Sequence, residues 1–133
     1  MSTTSLEGKT VLITGANRGL GQALVDEALQ RGARRVYAGA RQPITHADER
    51  VTPLIIDVTD WAQIQRAGES VDWLDILINN AGVSLPDDLS SRAAFEQHFD
   101  VNVYGPVMVT QALLASLTES RGRIVNVVSI GAF

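Results

Sequence analysis

The sequence predicts an α/β fold built on a doubly wound, five-stranded parallel sheet in the order 3-2-1-4-5. Three observations lead there. Near-continuous apolar runs such as Val11-Leu12-Ile13 and Ile124-Val125-Asn126-Val127-Val128 read as strands buried on both faces. Those runs alternate with helical patterns along the chain, which requires crossover connections. Right-handed crossovers then fix the strand order and leave a crevice between strands 1 and 4 at their carboxyl ends.

The first strand stops at Thr14-Gly15, and glycines follow at 15, 19 and 21 before a helix over residues 19–31 with apolar Leu20, Ala23, Leu24, Ala28 and Leu29. Gly32 is placed to end that helix in the left-handed conformation. Residues 35–40 form the second strand, and residues 41–50 are too short and polar for a crossover helix, so a loop is expected. The third strand covers 51–57, with Pro53 suited to an edge. Thr59 or Asp60 caps a short helix through Trp61, Ile64 and Ala67. The fourth strand, 74–79, runs into Asn79-Asn80-Ala81-Gly82, and residues 84–91 are a loop. A long helix over 91–119 and a fifth strand over 123–129 complete the pattern.

Bulk properties narrow the function. The 133 residues make one domain, with 45% hydrophobic and 20% charged residues, ordinary for a globular protein. A net charge of -4 argues against a nucleic-acid partner, which needs a basic face. With no cysteine, disulfides, thiol chemistry and cysteine-bound zinc are excluded. His46 and His98 lack metal-ligand spacing, so no metal is expected. Residues 102–118 carry no charge, but Asn102, Gly105, Pro106, Thr110, Gln111 and Ser116 interrupt them, so a buried helix is expected and no membrane span. The N-terminus has no apolar signal segment, and a cytoplasmic protein is expected.

The glycine corner carries the chemistry. A strand entering a helix through a glycine turn gathers backbone N–H groups and the positive end of the helix dipole at one spot, which favours an anion. Glycines there let a pyrophosphate approach the backbone. The spacing is not that of the general dinucleotide fingerprint, and a glycine-rich turn can also be purely structural. An acid normally ends the second strand to bind ribose hydroxyls. Here that position holds Arg41, and Arg18 lies inside the glycine loop. Two guanidiniums without a carboxylate point to a 2′-phosphate, hence NADP(H) over NAD(H); the alternative is that both are simply solvated. A charge-assisted hydrogen bond of roughly 1.5–3 kcal/mol would give that preference. Asp57 could accept from an adenine amino group or could cap the following helix. Asn79 to Gly82 would let a cofactor lie against bare backbone, with the asparagines tying strand ends together. On the long helix, Phe95, Phe99, Asn102, Pro106, Thr110, Leu113 and Leu117 share one face. Pro106 cannot serve the Asn102 carbonyl, so a kink is expected there. That carbonyl either holds a water or a proton-relay partner, or belongs to a tolerated kink.

Together these stretches resemble the short-chain dehydrogenases/reductases, whose fold is of Rossmann type. Thr14, Gly15, Asn17, Arg18, Gly19, Leu20 and Gly21 match the family's cofactor motif, Asp57-Val58 its adenine contact, and Asn79, Asn80, Ala81 and Gly82 its fourth-strand motif. The resemblance implies that Asn102 binds a relay water through its main-chain carbonyl and that Ser129 hydrogen-bonds a substrate carbonyl. It implies a small carbonyl or alcohol substrate. The family's general acid/base is a tyrosine followed four positions later by a lysine, beyond the serine. Here the only tyrosines are Tyr37 and Tyr104 and the only lysine is Lys9. The expectation is therefore the cofactor-binding half of an oxidoreductase, an incomplete domain over 1–133, inactive by itself. The alternatives are a non-catalytic NADP(H)-binding module and a half-domain completed by another chain. An exposed fifth-strand edge and an apolar long helix also predict a homo-oligomer, through either surface.

Overall fold

The structure is a computed structural model that describes residues 5–82 and 91–128. Its strands are β1 (Thr10–Ile13), β2 (Arg35–Ala40), β3 (Val51–Ile55), β4 (Ile76–Asn79) and β5 (Arg123–Asn126). All neighbouring strands are parallel, in the order β3-β2-β1-β4-β5. The helices are α1 (Gly19–Gln30), α2 (Trp61–Ser70), α3 (Arg92–Phe99) and α4 (Gly105–Ser120).

Alternation along β1 divides the core. Val11 and Ile13 point to one face, where they pack with Val25, Ala28 and Leu29 of α1 and with Val36 and Ala38 of β2. Leu12 points to the other, against Leu77, Ile64 and Ala67 of α2, and Val109, Leu113 and Leu117 of α4. Every residue of β1 is buried, which is why this strand reads as an unbroken apolar run. Gly32 ends α1 as expected, with φ +90° and its N–H donating to the Leu29 carbonyl at 3.1 Å. Pro53 lies on edge strand β3, where a missing N–H costs no ladder bond. Asp60, rather than Thr59, caps α2, accepting from the Gln63 N–H at 3.2 Å.

Several boundaries differ from the sequence reading, each for a local reason. β3 ends at Ile55, not at 57, because Asp57 leaves the ladder. Its N–H donates to Gln63 Oε1 at 2.8 Å, and its carboxylate accepts from the Thr59 N–H. β4 begins at Ile76, since the side chain of Asp75 takes the Thr10 N–H at 2.9 Å in place of a backbone carbonyl. β5 ends at Asn126, although the Val127 N–H still donates to the Asn79 carbonyl at 3.0 Å. Residue 129 and residues 83–90, which hold most of the loop expected over 84–91, lie outside the described residues. The sheet is also not covered on both faces throughout. All four residues of β5 are exposed, because β4 is its only strand neighbour and α4 the only helix against it among the described residues.

The largest correction concerns the expected helix over 91–119. Between α3 and α4 lies a π-helical turn, Asp100–Tyr104, closed by the Gly105 N–H donating five residues back to the Asp100 carbonyl. Pro106 removes the donor for the turn before it, and the chain answers by widening rather than by a bare kink. The extra residue rotates the preceding helix by about 100°. The single stripe from Phe95 to Leu117 is therefore split. Val109, Leu113 and Leu117 are buried, whereas Phe95 is 51% and Phe99 39% exposed. The two phenyl rings stack at 6.1 Å, and Phe99 meets Tyr104 edge-on at 5.0 Å. This phase shift is measurable: by chemical denaturation Leu113→Ala should cost about 2–5 kcal/mol, and Phe95→Ala about 1 kcal/mol or less. Equal losses would mean an uninterrupted helix.

Candidate functional site

The carboxyl ends of β1 and β4 are joined by one hydroxyl. Thr14 Oγ1 accepts from the N–H groups of both Asn80 and Ala81, each at 3.0 Å. Thr14 N–H donates to the Ile78 carbonyl at 3.1 Å, and Asn80 Nδ2 donates to the Gly15 carbonyl at 3.2 Å. The chain after β1 is thus bound to the chain after β4 before either turns away. On the other side, Ala16 N–H donates to the Gly39 carbonyl of β2 at 2.9 Å.

The glycine corner follows directly. Gly19 has φ +55°, and no atom lies within 4 Å of where its Cβ would stand, so the backbone here is open to a ligand. Gly21 is required by packing: a Cβ would sit 2.0 Å from the Gly15 carbonyl oxygen. α1 starts without a side-chain cap, and no acid occupies its first turn. α2 and α3 are instead capped by Asp60 and Ser91. The N-terminal amides of α1 are the polar groups a helix must satisfy from outside.

A cavity of about 710 Å³ opens at this corner. Gly15, Asn17, Arg18, Gly19 and Leu20 form one wall. Arg41 and Asp57-Val58 close the end beside β2 and β3, and Asn80, Ala81 and Gly82 form the side beside β4. The remaining predicted residues stand behind it. Thr14 and Asn79 are buried, and Gly21 is packed under the glycine loop. Asn79 has a bracing role, its Nδ2 donating to Asn126 Oδ1 at 2.9 Å and Thr110 Oγ1 at 3.2 Å. Asn102 sits in the π-helical turn next to Gly82, whose Cβ, if present, would lie 3.3 Å from Asn102 Oδ1. Ser129 lies outside the described residues.

Sequence reasoning missed the wall contributed by α3 and the π-helical turn: Ala93, Glu96, Gln97, Asp100 and Val101. Their spacing of three and four residues was a visible signal, masked by the more conspicuous phenylalanines one position away. It also missed Gly105, buried because a Cβ would stand 2.8 Å from Val58 Cγ2. Asp57 does not cap α2, which Asp60 does; its carboxylate instead closes a turn onto Thr59. Burial pushes its carboxyl up, but the Thr59 hydroxyl and N–H it accepts, together with the charge of Arg41, hold it below the usual carboxylate range. Among the described residues, no three His, Cys, Asp or Glu side chains could hold a metal ion, and no helix is long and apolar enough to cross a membrane.

A family model described as short chain dehydrogenase matches residues 9–133. The chain belongs to the short-chain dehydrogenase family. Human retinol dehydrogenase 11 is 36% identical over 97% of this chain and 45% of its own length. Human L-xylulose reductase is 35% identical over 93% of this chain and 54% of its own. Among solved structures, a short chain dehydrogenase from Burkholderia cenocepacia in complex with NADP superposes with a TM-score of 0.90 at 36% identity, over 96% of this chain and 56% of the other. NADPH-bound carbonyl reductase from chicken fatty liver gives 0.81 at 27% identity, over 90% and 58%. The chain spans about half the length of these family members.

The Thr14 bridge is directly testable. Thr14→Val leaves two part-buried N–H groups without their acceptor and should lower the unfolding free energy by about 1–3 kcal/mol, whereas Thr14→Ser should stay within about 1 kcal/mol. Urea denaturation of both variants reads the difference.

Proposed function

We propose that this chain binds NADP(H) in preference to NAD(H), as the cofactor-binding half of an oxidoreductase acting on a small carbonyl or alcohol. One observation carries the reading: an uncapped helix N-terminus opens onto a cavity that also takes Arg18 and Arg41. The residues fit a phosphorylated dinucleotide. Gly15 and Gly19 to Gly21 would hold the pyrophosphate on backbone amides, with Asn17 and Leu20 shaping that wall. Arg18 and Arg41 would bind the 2′-phosphate, and Asp57 and Val58 the adenine. Asn80, Ala81 and Gly82 would carry the nicotinamide end. When bound, the nicotinamide supplies or accepts the hydride. The relatives point the same way, since two similar structures hold NADP and NADPH.

Asn102 would keep a relay water on its main-chain carbonyl, and Ser129 would hydrogen-bond the substrate oxygen. Among the described residues no tyrosine or lysine lines the cavity. Tyr37 lies on β2, Tyr104 is half exposed on the π-helical turn, and the sole lysine, Lys9, precedes β1. The isolated chain would therefore bind cofactor without turning over substrate. Exposure of β5 favours, as a second reading, a half-domain completed by another polypeptide that brings a tyrosine and a lysine. A cytoplasmic setting is part of the proposal.

Isothermal titration should find NADPH bound roughly ten- to a hundredfold more tightly than NADH, the equivalent of one charge-assisted contact, and Arg41→Ala should erase most of that difference. Equal affinities would overturn the preference, and measurable carbonyl reduction by the isolated chain would overturn its inactivity. The chain should also self-associate. Phe95, Phe99, Val103, Val107 and Leu114 are exposed along the long helical segment, as are Ile124 and Val125 of β5 and Val128 just after it. Sedimentation at tens of micromolar should detect dimers or larger species; a monodisperse monomer would contradict this.

A further inference from the structure

Residues 41–50 form no helix or strand, yet side chains fasten them at several points to α1. Ile44 packs into the core on the α1 side of the sheet. His46 Nδ1 accepts from the Asp48 N–H at 3.0 Å, which leaves Nε2 to donate to Asp26 Oδ1 of α1 at 3.1 Å. Arg50 forks onto Asp48 through Nε at 3.1 Å and Nη2 at 2.7 Å. Its Nη1 donates to the carbonyls of Leu29 and Ala33 at 3.2 and 3.3 Å, around the end of α1. The side-chain bond from Arg50 holds the Asp48 carboxyl down to about 2. Exposed pairs of this kind add little to global stability. What they do is fix where a connecting segment runs.

The fixed segment begins at Arg41. Its backbone follows directly on Ala40 of β2, whose carbonyl is held by the Ile56 N–H at 2.9 Å. Three residues later the chain is anchored again by Ile44, and Pro43 restricts the span between. Arg18, the other guanidinium of the cavity, precedes the first turn of α1. One helix is thus the common reference for both arginines. We propose that Asp26, His46, Asp48 and Arg50 are positioning residues for cofactor selection: by clipping residues 42–50 onto α1 they hold Arg41 where it and Arg18 meet the same 2′-phosphate. The proposal rests on the NADP(H) reading above, and it assigns selectivity to residues that do not line the cavity.

The test compares dissociation constants for NADPH and NADH in His46→Ala, Arg50→Lys and Arg41→Ala at one ionic strength, with thermal melting as the check on folding. Lysine keeps the charge of Arg50 but cannot fork onto Asp48. His46→Ala and Arg50→Lys should each weaken NADPH binding by about three- to tenfold while leaving NADH within about twofold. Arg41→Ala should abolish the preference. If His46→Ala and Arg50→Lys fold normally and keep the wild-type NADPH:NADH ratio while Arg41→Ala loses it, the clip has no part in selection and the inference is overturned. A ratio unmoved by Arg41→Ala instead removes the NADP(H) reading, and the inference with it.

Discussion

The architecture of the site depends on a single buried hydroxyl. A parallel sheet sends neighbouring strands the same way, so where β1 and β4 both end their backbones diverge toward helices on opposite faces, and unpaired N–H groups are left at the split. Thr14 Oγ1 takes two of these at once, from Asn80 and Ala81. The split therefore opens one residue further along, with Gly15 on one side and Ala81-Gly82 on the other. A Cβ on Gly15 would come within 2.9 Å of Ala81 Cα, which shows how closely the two chains are drawn together before they part. The crevice is narrow at its root and lined by small residues because its root is fastened.

The second constraint is the proline. Pro106 denies one backbone bond to the helix that packs over β4, and the chain pays with a single widened turn over Asp100–Tyr104. That turn does two things. It carries Asn102 to the edge of Gly82, and it swings α3 so that Ala93, Glu96, Gln97 and Asp100 face the cavity while Phe95 and Phe99 face outward. Widened turns of this kind are often found at functional sites, because they re-aim side chains that a regular helix would hold in phase. The exposed aromatic surface and the cavity wall are two results of one local irregularity.

What could be read from the sequence follows from how local each cause is. Strand order, the glycine corner and the left-handed Gly32 are found where the sequence pattern placed them, and of the two cap candidates Thr59 and Asp60 the structure uses Asp60. The strand ends were less legible, since the Asp57 N–H bonds a side chain and the Thr10 N–H is taken by the side chain of Asp75, neither of which composition reveals. The face of α3 was misread for a different reason. A helical wheel assumes one period, and one inserted residue ahead of Pro106 invalidates it for everything upstream. The free edge of β5 was expected, but its exposed faces were not, because an apolar run reports the capacity to be buried rather than what covers it.

Charge at the site follows a similar logic of position over composition. The chain carries a net charge of -4, yet the end of the cavity beside β2 brings together Arg41, Arg18 and the amino end of α1. Asp57, which lines that end, has its carboxylate engaged by the Thr59 hydroxyl and N–H at 2.6 and 2.9 Å. Two further carboxylates near the loop, Asp26 and Asp48, are paired to His46 and Arg50. Arg18, Arg41 and the helix dipole supply the positive charge at this end, and Asp26 and Asp48 are committed to holding the loop in place. An acidic chain can in this way gather positive charge at one end of a cavity: Asp26, Asp48 and Asp57 each have a partner within the protein, while Glu96 and Asp100 stand on the separate wall formed by α3 and the π-helical turn.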